Sequence, residues 1–182
     1  MNGGYVQDFM DFKKLFRGFV VELLIPSIYG IAIGLIVNLF VGFTSVRGES
    51  MYPTLNDRDF LMLNKISKGN IENGDIVVFD VTPELSYREK IFYIKRVIGK
   101  SGDHVVIKDG KVIVNDIELN EVYTDGSITE GEIDILVPDG SYFVLGDNRD
   151  ESSDSRVIGL VSHENVTGVV KMRLYPFNKI EN

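Results

Sequence analysis

The clearest pattern in the chain is a long apolar run near its amino terminus. Residues 23–46, between Glu22 and Arg47, carry no charge. A helix of this length reaches about 36 Å, enough to cross a hydrocarbon core of about 30 Å. A buried helix of a small soluble domain would not stay uncharged for so long, and a cleavable signal peptide has an apolar core of only about 7–15 residues. The pattern therefore predicts a retained transmembrane anchor over residues 19–46.

Basic residues precede this run and predict its orientation. Lys13, Lys14 and Arg17 lie just before the apolar residues, and positive charge near a membrane helix favours the cytoplasmic side. We therefore expect residues 1–18 in the cytoplasm and residues 47–182 outside, as in a single-pass cell-membrane protein.

Two glycines in the predicted anchor carry a weak signal for helix pairing. Gly30 and Gly34 form a GxxxG pattern, which lets two membrane helices approach closely. Glycines are common in membrane helices, so the pattern allows pairing without requiring it. The expected state is a monomer.

Beyond residue 47 the pattern changes to short apolar segments rich in β-branched and aromatic residues, with turn signals between them. Asp109-Gly110 stands between two alternating segments and predicts a two-residue hairpin turn. The fold class predicted is mainly β, an antiparallel β-sheet domain over 47–182, with a hairpin-containing insertion over about 104–140. The other expected strands lie in 60–66, 74–81, 90–99, 140–148 and 166–177.

Composition removes several classes of function. The net charge of −8 argues against a nucleic-acid partner, because phosphate binding needs a basic face. The chain has no cysteine and only two histidines, so it has no thiolate chemistry and no histidine-rich metal site. The acid-rich stretch 146–156 lacks the glycine and the closing glutamate of an EF-hand loop. We expect neither a metal nor a cofactor.

Two residues carry candidate chemistry, Ser50 in the turn sequence GESMYPTL and Lys95 among apolar residues of the segment 90–99. Burial favours the neutral form of a lysine, and a neutral amine can act as a general base, which a guanidinium cannot. The two residues would then form a Ser-Lys dyad. The competing interpretation of Lys95 is an edge strand whose cation reaches to water, and that of Ser50 is an ordinary turn.

A Ser-His-Asp triad is the rival chemistry. His104 begins the predicted hairpin, and His163 lies in the polar sequence SHEN. The chain has no G-x-S-x-G motif, which would mark a nucleophile of that kind. A histidine base is therefore disfavoured.

Several stretches together resemble type I signal peptidases, the membrane-anchored serine proteases that remove signal peptides from exported proteins. GESMYPTL is similar to the serine motif of that family, and YIKRVIGKSGD is similar to its lysine motif. RDFLMLNK and NGDIVVF resemble the strands that lie between them, and GDNRDESSDSR resembles the last motif. The stretches follow the anchor in the family's order, and their spacing resembles the compact single-anchor enzymes of Gram-positive bacteria.

The resemblance implies that Ser50 is the nucleophile and Lys95 the general base, and it implies supporting roles in the last motif. Ser152 would hydrogen-bond the lysine amine and orient it. The same motif would supply an ion pair and two residues that line the site: Asp154 with Arg156, and Gly146 with Asp147.

The resemblance also implies where substrate binds. Some members have a serine two places before the nucleophile that completes the oxyanion hole, and Gly48 stands there in this chain. Backbone N–H groups, including that of Ser50, would then carry the oxyanion stabilisation. Four residues would border pockets for small side chains: Met51, Leu55, Tyr93 and Ile94.

The implied function is cleavage of amino-terminal signal peptides from exported preproteins, after small-x-small sites at the outer membrane surface. Ser50 lies seven residues beyond Phe43, so an extended link reaches about 25 Å from the membrane edge. The expected partners are signal peptides and the lipid bilayer.

Two alternatives of other classes remain at this point. A non-catalytic membrane-anchored homologue, acting as a chaperone or assembly factor, would be expected to lose the serine or the lysine. A self-cleaving Ser-Lys repressor would need a DNA-binding helix-turn-helix ahead of its catalytic domain, where this chain has an apolar run.

Overall fold

A computed structural model of the chain describes residue 14 and residues 16–81 and 90–177. The chain divides into two compact units, Met1–Phe40 and Val41–Asn182. Lys13, which the orientation argument used, lies outside the described residues, whereas Lys14 and Arg17 lie within them.

The described part of the first unit is one long apolar helix. It runs over Phe16–Phe40 and is long and apolar enough to cross a membrane. A π-helical turn, Val20–Leu24, leads into helix α1, Ile25–Phe40, and none of these residues is buried within the protein. Pro26 lies inside this continuous helix and has no backbone N–H to donate, and the π-helical turn directly before it is the kind of local irregularity that a proline introduces. This helix agrees with the predicted anchor, and pairing through Gly30 and Gly34 stays a prediction.

The anchor boundary predicted from the sequence is wrong at its carboxyl end. The helix stops at Phe40, and the next five residues form strand β1, Val41–Ser45, which pairs with residues 60–64. The predicted anchor was too long because the sequence VGFTS carries no charge and continues the apolar run. Its β-branched and aromatic residues favour a strand. Gly42 is buried opposite Leu63, and a Cβ there would come within 3.0 Å of the Lys65 side chain.

The described residues of the second unit form two antiparallel sheets. Among them, the larger sheet has seven strands in the order β1-β2-β11-β3-β4-β9-β10, and the smaller has four in the order β7-β6-β5-β8. Helix α2, Ser155–Ile158, is a single turn between β9 and β10. The strands after β1 are β2 (Phe60–Asn64), β3 (Ile76–Asp80), β4 (Phe92–Lys100), β5 (His104–Lys108), β6 (Lys111–Val114), β7 (Ile117–Glu118), β8 (Ile133–Leu136), β9 (Ser141–Leu145), β10 (Val161–Ser162) and β11 (Val166–Tyr175).

The smaller sheet contains the predicted hairpin. Strands β5 and β6 pair in register, with Lys108 opposite Lys111. Asp109 and Gly110 between them have φ angles of 51° and 79°, and positive φ at both central residues is what a type I′ turn requires. The hairpin prediction is confirmed, and so is the mainly β, antiparallel fold class.

Strand β4 lies inside the larger sheet, between β3 and β9. It contributes to three apolar clusters: Val97 belongs to the first, Ile94 packs against the second and Ile98 belongs to the third. The interpretation of Lys95 as a cation on an edge strand is therefore wrong. Lys95 lies opposite Val77 of β3, one residue before the pairing with β9 begins at Arg96, and its side chain is buried.

Candidate active site

The structure brings Ser50 and Lys95 together across 45 residues of sequence. Lys95 Nζ donates a hydrogen bond to Ser50 Oγ at 2.6 Å. Ser50 is held in a tight turn, because Tyr52 N–H donates to the Glu49 carbonyl at 3.0 Å and Leu55 N–H to the Met51 carbonyl at 2.8 Å. The nucleophile and the base predicted from the sequence are thus in direct contact.

The surroundings of Lys95 favour its neutral form. The residue is only 3% exposed, and burial lowers the pKa of its amine from 10.5 to about 8, against the opposing charges of Asp154 and Asp147. The ring of Tyr93, two residues earlier on β4, lies 5.4 Å from Nζ. Near neutral pH, part of the amine population is therefore uncharged and able to accept a proton.

Asp154 and Arg156 form the ion pair that the resemblance implied. Arg156 donates from Nε to one oxygen of Asp154 and from Nη2 to the other, each at 2.9 Å. Gly146 N–H donates to the same carboxylate at 3.0 Å. Burial alone would raise the pKa of Asp154, but these hydrogen bonds, with the neighbouring Ser152 hydroxyl, lower it overall. Asp154 is therefore a fixed negative charge beside the lysine.

The hydrogen bond expected from Ser152 to the lysine amine is not formed. Ser152 Oγ is buried and makes no hydrogen bond of normal geometry. The hydroxyl lies instead against Gly146 and Asp154, since the lysine amine is directed at Ser50. The Ser152 hydroxyl is therefore held beside the Asp154 carboxylate and not on the lysine amine.

Asp147 is fully buried and paired with Arg96, the residue that follows the candidate base. Arg96 donates to the two oxygens of Asp147 at 2.8 and 2.7 Å, and Thr54 donates to the same carboxylate. The pair joins β4 to the turn of Ser50 and to the loop after β9. The roles of Arg96 and Thr54 were not predicted from the sequence, although a second cation in the same apolar strand was a signal for a buried partner.

The loop after β9 also holds the backbone on both sides of the nucleophile. Asn148 N–H donates to the Ser50 carbonyl, and its side-chain amide donates to the Glu49 carbonyl, each at 3.2 Å. Gly146 lies so close that a Cβ there would overlap Ser152 and stand 2.5 Å from the Ser50 carbonyl oxygen. Only glycine fits between these groups.

A cleft of about 810 Å³ opens over the Ser50–Lys95 pair, lined by residues 44–51 on one side and 90–95 on the other, with Glu151 and Ser153. Strands β1 and β4 are separated by three strands in the sheet order. Because both line one cleft, the sheet is strongly curved. Met51, Tyr93 and Ile94 line the cleft, and their role in binding substrate stays a prediction.

Leu55 does not border the cleft, so its predicted pocket role is wrong. It is 0% exposed and belongs to the apolar cluster that includes Met51 and Leu61. The turn that presents Ser50 to the cleft directs Leu55 into the core, where it anchors the turn.

The two histidines are engaged away from the site. His104 pairs with Asp134 at 2.8 Å in the smaller sheet, and His163 Nδ1 lies 2.9 Å from the Tyr142 hydroxyl. Neither contacts Ser50, so the geometry gives no support to a histidine base.

A serine hydroxyl bonded to a buried lysine amine in an open cleft defines a serine hydrolase of the Ser-Lys class. The family described as "Signal peptidase, peptidase S26" matches residues 20–175 of this chain. The chain belongs to this family, and its activity is that of a signal peptidase I, a serine endopeptidase.

Named relatives cover most of the chain. Signal peptidase I T of Bacillus subtilis (strain 168) is 38% identical over 148 residues, 74% of this chain and 74% of that protein. Signal peptidase IB of Staphylococcus aureus (strain Mu50 / ATCC 700699) is 31% identical over 184 residues, 87% of this chain and 93% of that protein. A solved signal peptidase I from Enterococcus faecalis V583 is 30% identical, with a TM-score of 0.47, covering 56% of this chain and 97% of that one.

Proposed function

We propose that Ser50 is the nucleophile and Lys95 the general base of this peptidase. The observation that supports the assignment most directly is the 2.6 Å contact between the Ser50 hydroxyl and a buried lysine amine. The neutral amine takes the hydroxyl proton as Oγ attacks the scissile carbonyl carbon, and the ammonium then gives that proton to the leaving amine. In the second half, the amine takes a proton from water as that water attacks the ester carbon. The bond from that carbon to Ser50 Oγ then breaks, and the ammonium returns the proton to Oγ as the new carboxyl end is released.

The oxyanion of the tetrahedral intermediate would be stabilised by backbone donors, with Ser50 N–H as the first. Gly48 has a φ of 86°, a conformation that side-chain-bearing residues avoid. Its own N–H already donates to Asp57 at 3.0 Å. The Gly48 N–H therefore stabilises the turn, and the N–H groups of Ser50 and its neighbours would donate hydrogen bonds to the oxyanion.

The substrates would be signal peptides of exported preproteins, bound in extended form. Strand β1 is an edge of the larger sheet, and β4 is paired with β9 only from Arg96 onward. Both strands line the cleft, so a substrate strand could bond to backbone on either side. Met51, Tyr93 and Ile94 would leave room for small side chains near the scissile bond.

The apolar helix and the family indicate a membrane-anchored protein. We propose that it spans the bilayer once, with its amino terminus in the cytoplasm, because Lys14 and Arg17 precede the apolar residues. The peptidase unit would then work as a monomer at the outer surface, where signal peptides leave the membrane.

The non-catalytic alternative is not favoured, because the serine and the lysine are both present and in contact. The test is cleavage of a preprotein by the detergent-solubilised full chain and its variants. Ser50→Ala and Lys95→Ala should each lower kcat by several orders of magnitude while the fold survives.

Lys95→Arg is the decisive variant, because arginine keeps the positive charge but cannot act as a base. It should be nearly as inactive as Lys95→Ala, whereas the matched control His104→Ala should keep most activity. Substantial cleavage by Lys95→Arg would exclude Lys95 as the base.

A further inference from the structure

The connection between β7 and β8, residues 119–132, packs against the charged side chains behind the active site. It contains the short 3-10 helix Val122–Thr124. The Tyr123 ring of this helix lies against the Arg96 guanidinium, with 4.0 Å between the ring centroid and Cζ. A segment of the smaller sheet thus touches the residue next to the candidate base.

Arg96 is held by several groups at once. Its side chain is 1% exposed and makes the two bonds to Asp147. Arg96 Nη1 also donates to the Gly74 carbonyl at 3.0 Å. Tyr123 covers one face of the guanidinium, and such stacking restricts a planar cation to one orientation. The edges of the Arg96 guanidinium are therefore fixed by hydrogen bonds, and one of its faces is fixed by stacking on the Tyr123 ring.

Tyr123 is itself fixed by Glu121, two residues earlier. The Tyr123 hydroxyl donates to Glu121 at 3.0 Å. Burial, with the charge of Glu121, raises the pKa of Tyr123 well above its usual range, so the hydroxyl keeps its proton. Glu121 also accepts two hydrogen bonds from Arg149, at 2.9 and 2.6 Å, and Arg149 donates to the Gly146 carbonyl at 3.0 Å.

Charged and titratable groups face the Lys95 amine from several elements. Ser50 and Tyr93 contact it, and Asp147 and Asp154 act on it through their charges. The carboxylates of Glu49 and Glu151 line the same cleft. Of these groups, Asp147 is the one whose negative charge is balanced by Arg96, the cation that lies against the Tyr123 ring.

We propose that Tyr123 is a positioning residue of the peptidase reaction: by stacking on Arg96 it keeps the guanidinium on Asp147, and so limits the charge of that carboxylate at Lys95. The proposal rests on the assignment of Lys95 as the general base. Without the ring, Arg96 would leave Asp147 part of the time, and the exposed negative charge would stabilise the ammonium form of Lys95.

The test is kcat/KM against pH on one peptide substrate, for the detergent-solubilised full chain and two variants. The wild type should show a rising limb near pH 8, the pKa of Lys95. Tyr123→Leu removes the ring and should move the rising limb to higher pH by roughly 0.5 to 1 pH unit. At a fixed pH below the limb, kcat/KM should then be about three- to tenfold lower than in the wild type. KM should stay near the wild-type value, because Tyr123 does not line the cleft.

Tyr123→Phe keeps the ring and loses only the bond to Glu121, so its limb should stay at the wild-type position. Val122→Ala, at a 72% exposed neighbour, is the matched control and should change nothing. A limb that does not move in folded Tyr123→Leu would overturn the proposal, and so would an equal shift in Tyr123→Phe. If Tyr123→Leu does not fold, Tyr123→Met replaces it.

Failure of the proposed function would look different. In that case Lys95→Arg would remain active, or the wild type would lack the rising limb altogether. A wild-type limb near pH 8 with inactive Lys95→Arg, but without a shift in Tyr123→Leu, would overturn the role of Tyr123 alone.

Discussion

At the scale of single residues, the free energy that Lys95 costs the folded protein follows from its environment. Its pKa is about 8 in the fold and 10.5 without burial. Below pH 8 the Lys95 amine is protonated in both the folded and the unfolded protein, and the fold must bury the ammonium. This burial lowers the free energy of unfolding. This destabilisation decreases as the pH rises from about 8, the pKa of Lys95 in the folded protein, to 10.5, its value in the unfolded chain.

Lys95→Met should therefore stabilise the protein at pH 7, while removing its activity. The difference between the two pKa values corresponds to about 3 kcal/mol, as an upper figure. The measurement is thermal unfolding followed by circular dichroism at several pH values. The gain should shrink between pH 8 and pH 10.5, the folded and unfolded pKa values.

Lys108→Met is the matched control for this experiment, because Lys108 is exposed at the end of β5. Its stability difference from the wild type should not vary with pH in the same range. A Lys95→Met protein no more stable than the wild type at pH 7 would show that the lysine is not desolvated.

The sequence predicted Ser50, Lys95 and the Asp154–Arg156 ion pair, but not the buried pair of Arg96 and Asp147. Ser50 and Lys95 stand in recognisable motifs, and the apolar neighbours of Lys95 signalled burial. The bond between Arg96 and Asp147 joins residues 51 positions apart, and that pairing depends on how β4 and β9 align. Leu55 was misplaced because a turn sequence does not reveal which of its apolar side chains enters the core.

At the scale of elements, the loop after β9 fixes the nucleophile by close packing. Gly146→Ala should place a methyl group against Ser152 and the Ser50 carbonyl. Overpacking of this kind costs about 1–3 kcal/mol, and relief by movement of the Ser50 turn should break the 2.6 Å contact with Lys95. We expect kcat to fall by about a hundredfold or more, since a misplaced nucleophile loses its alignment.

The matched control is Gly69→Ala, because a Cβ at Gly69 would meet open space. Both variants are assayed for preprotein cleavage and for melting temperature. A fully active Gly146→Ala protein would contradict the packing argument.

Most strands were predictable because their alternating and β-branched patterns match buried sheet positions. The exception is β1, whose uncharged residues continue the pattern of the preceding helix. Hydropathy cannot distinguish the end of a membrane helix from an apolar strand. The pairing of β1 with β2, which decides the matter, is a contact between distant residues.

At the scale of the whole molecule, the proposed orientation can be measured directly. Protease added outside intact cells should digest the peptidase unit and leave a small membrane-embedded amino-terminal fragment. Disrupting the cells first is the control, and it should also expose residues before the helix. Protection of the peptidase unit in intact cells would reverse the orientation and contradict action on exported proteins at the outer surface.

The abrupt change from helix to strand at Val41 affects how a soluble form of the enzyme should be prepared. A fragment that begins at Arg47 would lack β1 and leave the outer edge of β2 unpaired. Unpaired apolar edges invite intermolecular strand pairing and aggregation. Phe60 on β2 would also lose its stacking partner Phe43. A fragment that begins at Val41 keeps the edge strand and one wall of the cleft, so solubility and activity should depend on those six residues, 41–46.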